Sequence, residues 1–536
     1  MKRNEPSTGQ PQPDMSPAQD VAGLKSLAAQ YRVEFLPSVT DDMLDPNLVA
    51  GLSVEWARSN CLLPVRINGE MSVLTADPRQ TNQYEYLSLL IGGELKPVLA
   101  PRDVILKGIE RCYYRKDDSP GEFLRDLATQ EEGQSVAQAK SYDLFQVAET
   151  APVTTLVNLI LLDAVKHRAS DIHIEPFESR LRLRYRIDGI LYDEDSPPKH
   201  LEDALVSRLK VMGRMDIAER RLPQDGMARV RIGEREIDIR VSTVPVAEGE
   251  RVVLRLLDRD SALLPLDVLG MSRDTMQAFE SLVSQPNGMI VVSGPTGSGK
   301  TTTLYAALGR LDSGRKNIMT IEDPIEYQIP NIGQIQVKPK IGLTFAGGLR
   351  HILRQDPDIV LVGETRDIET AEIALRASLT GHLVFTTLHT NDAPGVMVRL
   401  VDMGVEPYLL AACLRGALAQ RLVRQLCPKC KKPVTASAAD VEPLGRWAGV
   451  VEGKTVWNPV GCPACLEGYS GRKGLFEMML VDRKMQECIR LGHAGAADIR
   501  MVAEQGGMKS LMDDAAEKIL AGSTSISEVI SVANTR

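Results

Sequence analysis

Residues 293–304 read SGPTGSGKTTTL, and this stretch sets the class of fold that we expect. It matches the phosphate-binding pattern G-x-x-x-x-G-K-[ST] through Gly294, Gly299, Lys300 and Thr301. The apolar run before it (GMIVVS) predicts a buried strand, and the segment after it predicts a helix. A strand, a glycine-rich turn and a helix N-terminus present backbone N–H groups and a positive dipole to a phosphate group. The sequence therefore predicts an α/β domain that binds a nucleotide.

The composition is that of a globular protein with several domains. A chain of 536 residues, 43% hydrophobic and 25% charged, predicts about three to four domains. No apolar run of about 18 residues is present, and the N-terminal segment MKRNEPSTGQPQPD lacks the apolar core of a signal peptide. We therefore expect a cytoplasmic protein whose contact with a membrane is indirect. The net charge of −8 and the aromatic content of 4% disfavour nucleic-acid binding.

Composition and periodicity divide the chain into five segments. The stretch 1–24 is rich in Pro, Gln and Ser and is predicted to be disordered, and 113–150 reads as a polar linker. Between them, 25–112 is expected to form a small domain that closes with a helix. The segment 151–262 combines an apolar helix with alternating strands, including a hairpin near Gly233, and predicts an α+β domain. The nucleotide domain is expected to span 267–536.

Two later segments carry carboxylates that suit a nucleotide site. TIEDPIEY at 320–327 places Glu322, Asp323 and Glu326 after an apolar stretch, where they could position Mg²⁺ or water. An acidic surface loop is the alternative. IVLVGE at 359–364 reads as a buried strand ending in Glu364, the candidate base that orients the attacking water.

The segment GHLVFTTLHTNDA at 381–393 contains two histidines, His382 and His389. No third metal ligand lies nearby in the sequence, so a metal pair is the weaker interpretation. Contact with the γ-phosphate, or support of a neighbouring loop, is favoured.

In this order, the four segments resemble the Walker A motif, Asp box, Walker B motif and His box of the secretion ATPases, the motors of type II secretion, type IV pili and type IV secretion. The resemblance covers about residues 150–536, and SDIHIEP, RLPQDG and GERVVLRLLD resemble the domain that precedes the motor in this family. The chain is most similar to the type II secretion ATPases, the general secretion pathway protein E family, and LLIGGELKPVLAPRDVI extends the likeness into the first domain. The extension ATPases of type IV pili are the alternative. Three residues depart from the family pattern. Gly363 stands where many such ATPases have Asp, and the other two are Met227 and Thr365.

The resemblance implies a RecA-like ATPase domain preceded by an α+β, PAS-like domain and a small N-terminal domain. It also implies a homohexameric ring that binds ATP and Mg²⁺ between two domains. Arg240 and Arg255 match arginines that reach the phosphates when the ring closes, although alternating strands also carry solvated arginines. Arg350, Arg354 and Arg366 match arginines near the active site or a subunit interface. The first domain would dock onto a bitopic membrane protein, and the motor would act on an inner-membrane secretion platform.

The candidate residues of the nucleotide site form two sets. The predicted catalytic residues are Lys300, Glu322, Glu364, Arg240 and Arg255. The predicted nucleotide-binding residues are Gly294, Pro295, Thr296, Gly297, Ser298, Gly299, Lys300, Thr301, Thr302, Asp323 and His389, with Thr301 also a ligand of Mg²⁺.

Four of the eight cysteines have the spacing of a metal site. Cys427 and Cys430 form one C-x2-C pair and Cys462 and Cys465 a second, 31 residues apart. Four thiolates complete the tetrahedral coordination of Zn²⁺ and leave no open position, which predicts a structural zinc module at 427–465. An iron–sulfur cluster is the alternative, but the wide separation is typical of a zinc ribbon. The cysteines without a partner pattern are Cys61, Cys112, Cys413 and Cys488.

Two other classes of function remain open. RecA-like rings also translocate DNA, and salt-dependent DNA affinity would favour that class. A scaffold that binds ATP without turnover is the third class, and replacement of Glu364 by Gln would separate it from the enzymes.

Overall fold

The computed structural model describes residues 17–113 with short gaps, 152–232, 235–258, 264–490 and 495–533. The gaps in the first range are at 50, 51, 53, 68, 80–82, 85, 86, 89, 90, 92 and 94. The predicted linker, apart from Tyr113 at its start, lies outside the described residues. Among the described helices, none combines the length and the apolar character that crossing a bilayer requires.

The first domain is a small sheet covered by helices. Its elements are α1 (Pro17–Tyr31), β1 (Glu34–Phe35), α2 (Pro46–Val49), α3 (Val54–Asn60), β2 (Leu62–Ile67), β3 (Glu70–Thr75), β4 (Lys96–Leu99) and α4 (Arg102–Tyr113), with a 3₁₀ turn at Asp41–Met43. The strands lie in the order β1-β4-β3-β2, and only β2 is antiparallel to its neighbour. The closing helix α4 packs on this sheet through Ile105 and Ile109, both fully buried.

Helix α1 corrects one prediction. It begins at Pro17 and therefore includes 17–24, the end of the stretch predicted to be disordered. Proline is tolerated in the first turn of a helix, where its missing N–H has no partner to lose. The helix then buries Leu24 and Ala28 against Leu99, and this apolar contact outweighs the polar bias of the composition.

The second domain confirms the predicted α+β arrangement. Its elements are α5 (Pro152–Lys166), β5 (Asp171–Pro176), β6 (Leu181–Ile187), β7 (Ile190–Glu194), a 3₁₀ turn (Lys199–Leu201), α6 (Glu202–Met212), β8 (Gln224–Ile232), β9 (Arg235–Val246) and β10 (Gly249–Asp258). The antiparallel order is β7-β6-β5-β10-β9-β8. Strands β8 and β9 form the predicted hairpin, although its turn at 233–234 lies outside the described residues. One face of the sheet buries Ile172, Leu183 and Ile239 against α5 and α6, and the other face carries charged side chains.

The nucleotide domain contains a sheet of seven strands with helices on both faces. Its elements up to the sheet's sixth strand are a 3₁₀ turn (Leu266–Val268), α7 (Arg273–Val283), β11 (Gly288–Ser293), α8 (Lys300–Leu308), β12 (Ile318–Glu322), β13 (Gly333–Gln336), a 3₁₀ turn (Pro339–Ile341), α9 (Phe345–Ile352), β14 (Ile359–Val362), α10 (Ile368–Leu379), β15 (Leu383–Leu388), α11 (Pro394–Asp402), α12 (Pro407–Cys413) and β16 (Leu414–Leu426).

The remaining elements continue the same domain. They are β17 (Lys432–Thr435), α13 (Ala438–Val441), a 3₁₀ helix (Glu442–Trp447), α14 (Ala448–Val451), β18 (Thr455–Asn458), β19 (Tyr469–Leu480), α15 (Arg483–Arg490), α16 (Ala496–Gln505), α17 (Leu511–Leu520) and α18 (Ile526–Ala533). The large sheet has the order β13-β12-β14-β15-β11-β16-β19, parallel except for β19. Because the carboxyl ends of parallel strands share one edge, the loops after β11, β12, β14 and β15 come together there.

The second domain contacts the nucleotide domain at the turn between β6 and β7. Asp188 in this turn accepts a hydrogen bond from Gly471 N (2.8 Å), and Tyr192 donates one to Glu467 (3.3 Å). Leu466, the residue after Cys465, packs against the core of the second domain. The segment that follows the second cysteine pair therefore forms part of the contact between the two domains.

Candidate functional site

The phosphate loop depends on glycine at two positions with positive φ. Gly294 has φ 147°, and a Cβ there would lie 2.4 Å from the carbonyl oxygen of Gln420. Gly299 has φ 86° and is the N-cap of α8, so the helix begins at Lys300. Side chains are disfavoured at both positions, by the contact in the first case and by the left-handed backbone in both. The loop can therefore close tightly on a phosphate group.

The remaining residues of the phosphate loop differ in their exposure to solvent. Pro295, Thr296 and Gly297 form its exposed tip, and Thr301 and Thr302 lie half-buried in the first turn of α8. The hydroxyl of Ser298 is buried and has no hydrogen-bond partner among the described residues. A loop with free donors at a helix N-terminus is suited to an anion.

Lys300 extends back over the loop. Its ammonium donates hydrogen bonds to the carbonyl oxygens of Gly294 (2.7 Å) and Pro295 (3.1 Å). Burial lowers the pKa of Lys300 to about 8, an effect that the nearby carboxylate of Glu364 partly offsets. A partly desolvated cation without a strong counter-charge attracts phosphate oxygens.

Gln420 supports the loop from β16, and the sequence analysis missed it. Its side chain is 2% exposed, and its Nε2 donates to the carbonyl oxygen of Ser298 (2.5 Å). Its Oε1 accepts a hydrogen bond from Thr303 Oγ1 (2.8 Å) in α8. The available signal was an uncharged polar residue within LRGALAQRLV, an otherwise mostly apolar run. Gln420 thus connects the loop to the helix that follows it.

Glu364 and His389 lie near each other at the carboxyl edge of the sheet. Their strands, β14 and β15, are neighbours, and His389 Nε2 is 3.7 Å from Glu364 Oε2. The Glu364 carboxylate also pairs with Arg366 at 2.6 Å. Burial and the charge of Lys300 lower the pKa of His389, which favours a neutral imidazole at pH 7. His382 and His389 lie at opposite ends of the six-residue strand β15, too far apart to share one ion, and the His382 ring instead contacts the carbonyl of Ala377.

The acidic segment at the end of β12 is divided between buried and accessible side chains. Glu322 is 3% exposed, and its carboxylate accepts hydrogen bonds from Tyr305, Thr320 and Gln334. Asp323 is exposed, and Glu326 is half-buried. Both oxygens of Glu322 thus have protein partners, one of them Tyr305 in α8, whereas Asp323 is open to solvent.

The two predicted arginines of the second domain lie side by side. Arg240 in β9 is directly opposite Arg255 in β10. Arg240 donates to the carbonyl oxygen of Ile325 (2.6 Å) and lies 3.5 Å from Glu326, so it contacts the acidic segment. Arg255 is 56% exposed and donates to Asp171 of its own domain (2.9 Å). The structure brings Arg240, but not Arg255, into contact with the nucleotide domain.

Two further arginines with family matches have surface contacts. Arg350 pairs with Glu369 (2.6 Å), and Arg354 contacts the ring of His351 (2.8 Å). Neither contact involves a predicted nucleotide-binding residue.

The four paired cysteines form one cluster. Their Sγ atoms all lie within 4.8 Å of one another, with separations of 3.9 Å for Cys427–Cys462, 3.7 Å for Cys430–Cys465 and 3.6 Å for Cys462–Cys465. Four thiolates at about 2.3 Å from one tetrahedral ion are about 3.8 Å apart, which agrees with these values. An iron–sulfur cluster would place several atoms between the thiolates and separate them further. The donor set fits a single tetrahedral ion.

Among the residues that the structure describes, the other cysteines join no cluster of metal ligands. Cys61, Cys112 and Cys413 are buried in apolar cores, and Cys488 is partly buried.

Comparison with known proteins agrees with this architecture. Residues 146–531 match the family described as type II/IV secretion system protein, and residues 31–119 match the MshEN domain. The chain is 45% identical to type II secretion system protein E of Pectobacterium carotovorum, over 90% of this chain and 96% of that protein. It is 43% identical to the type IV pilus assembly ATPase PilB of Myxococcus xanthus, over 94% of this chain and 89% of that protein.

A solved structure shows the same fold. The Legionella pneumophila ATPase DotB superposes with a TM-score of 0.52 at 20% identity, over 70% of this chain and 95% of that chain. Since the family match covers most of the sequence, from the second domain to the last helix, the chain belongs to the type II/IV secretion system family of ATPases.

Proposed function

We propose that this ATPase is the motor of a type II secretion system and acts at the cytoplasmic face of the inner membrane. The observation that carries this proposal is the likeness to type II secretion system protein E of Pectobacterium carotovorum, which spans 96% of that protein at 45% identity. The motor would convert ATP hydrolysis into movement of a membrane platform that assembles a pseudopilus and exports folded proteins. Its first domain would dock onto a bitopic membrane protein.

Nucleotide binding would use the loop between β11 and α8. Backbone N–H groups of 294–302 would surround the β-phosphate, and Lys300 would exchange its two carbonyl partners for phosphate oxygens. Bound Mg²⁺ would neutralise phosphate charge, and the Thr301 hydroxyl would be one of its ligands. The exposed carboxylate of Asp323 would help to hold the ion. Gln420 would keep the loop in register with α8.

Hydrolysis requires a water molecule in line with the γ-phosphate. Glu364 would orient this water and accept its proton. Its carboxylate would be held in place by Arg366 at 2.6 Å and by His389 at 3.7 Å. His389, neutral at pH 7, would donate a hydrogen bond to the γ-phosphate, and this hydrogen bond would be lost when the γ-phosphate is released. Arg240 and Arg255 would add positive charge when the second domain closes on a nucleotide. Glu322, buried beneath α8, would act through Tyr305 and not through the phosphates.

Mechanical work by the motor requires that ATP and ADP favour different arrangements of the second domain and the nucleotide domain. The contact of Arg240 with Ile325 and the contact of Asp188 with Gly471 support such an arrangement at two separate points. In a ring of six copies, the movements of the second domain relative to the nucleotide domain would add together. Zn²⁺ bound by the cysteine cluster would fix the segment around Leu466 and supply no chemistry to hydrolysis.

The extension ATPase of a type IV pilus is the second candidate, because PilB of Myxococcus xanthus is also similar over nearly the whole chain. Deletion of the gene in its source cell separates the two. We expect loss of exported enzymes from the medium with surface pili unchanged, restoration by the wild-type gene, and no restoration by Glu364→Gln. Loss of pili with normal export would assign the chain to pilus assembly. Restoration by Glu364→Gln would instead favour a scaffold that does not need turnover.

A further inference from the structure

The loop that follows His389 is held by its own polar residues and also by side chains outside the four nucleotide motifs. This loop, 390–393, connects β15 to α11. Its last residue, Ala393, donates a backbone hydrogen bond to Oε1 of Glu477 (2.8 Å). Glu477 lies in β19, and its side chain is 2% exposed. A carboxylate at this position also complements the N-terminus of α11, where the carboxylate of Asp392 already accepts a hydrogen bond from Gly395 N (2.7 Å).

A second side chain reaches the same loop from the C-terminal helices. Arg500 of α16 pairs with Asp392 (Nη2 to Oδ2, 2.9 Å) and with Glu477 (Nη1 to Oε2, 3.5 Å). Glu477 Oε2 also accepts a hydrogen bond from Leu511 N at the start of α17 (3.2 Å). Glu477 and Arg500 therefore join the loop to two helices that contain no nucleotide motif.

A separate contact reaches the loop from the last helix. Arg421 in β16 lies 3.3 Å from Asn391 Oδ1 and donates to the carbonyl oxygen of Val532 in α18 (2.8 Å). Asn391 and Asp392 thus each have a partner that contacts, or belongs to, the C-terminal helices.

The charges favour a rigid connection. Burial raises the pKa of Glu477, and the two backbone donors and Arg500 oppose that rise. Removing the arginine would leave a buried carboxylate without its only cationic partner among the described residues, which is strongly unfavourable. The loop would then move, or Glu477 would take up a proton.

We propose that Glu477 and Arg500 are positioning residues for hydrolysis: they hold the 390–393 loop so that His389 stays beside Glu364. The C-terminal helices would thereby set the efficiency of the chemical step without contacting the nucleotide. This inference rests on the proposed role of His389 at the γ-phosphate.

The test is a double-mutant cycle on the full-length chain, with steady-state phosphate release as the readout. We expect Arg500→Ala to lower kcat about tenfold with KM for ATP changed less than about twofold, since binding by the phosphate loop is untouched. In a His389→Ala background, the same substitution should change kcat by less than about twofold, because its effect passes through that ring. Arg483→Ala is the matched control: this α15 arginine is exposed and, within the described part of the chain, forms an ion pair with Glu487 alone.

Several outcomes would overturn the inference or its basis. An equal loss in both backgrounds means that Arg500 only stabilises the domain. A rise in KM without a fall in kcat also contradicts a positioning role. If His389→Ala alone retains the wild-type kcat, the proposed role of His389 is wrong, whatever Arg500 does.

A second measurement covers variants without measurable turnover. The chain has seven histidines, so the ring resonances of histidine-labelled protein can be assigned by substitution. Arg500→Ala and the milder Glu477→Gln should shift the His389 resonance, and Arg483→Ala should not. An unchanged His389 resonance in folded Arg500→Ala protein would refute the connection.

Discussion

The guanidinium of Arg240 in the second domain lies 2.6 Å from the carbonyl oxygen of Ile325 in the nucleotide domain. Its directly opposite neighbour, Arg255, is instead paired with Asp171 inside the second domain. Two arginines that the family resemblance treats alike therefore have different partners in this arrangement. Arg240 must leave a backbone carbonyl, and Arg255 a carboxylate, before either reaches a phosphate.

The first prediction concerns the chemical step. Arg240→Ala should lower kcat by at least about 100-fold, because a guanidinium added to phosphoryl transfer stabilises charge that develops late. Arg229→Ala is the control, since that exposed arginine lies in the neighbouring strand β8 and pairs with Asp238. Phosphate release at saturating ATP measures both. Equal, small effects of the two substitutions would remove Arg240 from the mechanism.

The second prediction concerns the support of the phosphate loop. Gln420→Ala leaves the Ser298 carbonyl and the Thr303 hydroxyl without their partner in a buried site. We expect ATP affinity to fall about tenfold and the free energy of unfolding to fall by about 1–3 kcal/mol. Gln355→Ala, which loses only an exposed contact, is the control. Calorimetric titration with ATP and thermal unfolding provide the two readouts, and unchanged affinity would contradict the role given to Gln420.

Gln420 and Glu477 also show where sequence reasoning reaches its limit. The nucleotide motif, the buried strand that precedes Glu364 and the cysteine pairs could be predicted because each is local and each needs a particular residue type. Gln420 is 117 residues from Thr303, and Glu477 is 84 residues from Ala393. Such pairs depend on the order of β11, β16 and β19 in the sheet, which no local pattern contains. Glu322 shows a related limit, since its acidic segment in the sequence does not indicate that Tyr305 and Thr320 donate hydrogen bonds to it.

The third prediction follows from the pKa of Lys300. Burial lowers it from its ordinary value of 10.5 to about 8, so in the nucleotide-free protein the charged form is disfavoured. The Lys300 ammonium therefore lowers the free energy of unfolding below pH 8, and this destabilisation disappears as pH rises from 8 to 10.5. Bound phosphate restores the charged form, so ATP binding above pH 8 must take up a proton.

We therefore expect ATP affinity to be constant up to about pH 7.5 and then to fall, by up to about tenfold per pH unit. Calorimetry at pH 8.5 in buffers of different ionisation enthalpy measures the proton uptake directly. Lys300→Gln should bind more weakly and show no such uptake. An affinity that is flat to pH 9.5 in the wild type would mean that Lys300 keeps an ordinary pKa.

The last prediction connects the metal cluster to the contact between domains. Cys465 is followed by Leu466, which packs against the core of the second domain, and by Glu467, which accepts a hydrogen bond from Tyr192. Loss of a bound ion would remove the metal bonds that hold the four sulfur atoms within 4.8 Å of one another, and the thiolates would take up protons, so this segment should move. The purified protein should contain one Zn²⁺ per chain by elemental analysis.

Cys465→Ser should lose that zinc, lower the Tm, and increase hydrogen exchange in the turn between β6 and β7, which carries Asp188. Leu466→Ala should increase exchange in the same turn while zinc is retained, because it removes the packing and leaves the thiolates intact. Cys488→Ser is the matched control, since this cysteine lies in α15 outside the cluster. If Cys465→Ser loses zinc and the exchange of the turn stays at the wild-type rate, the cluster stabilises only its own segment. The domain contact would then depend on Asp188 and Gly471 without help from the metal.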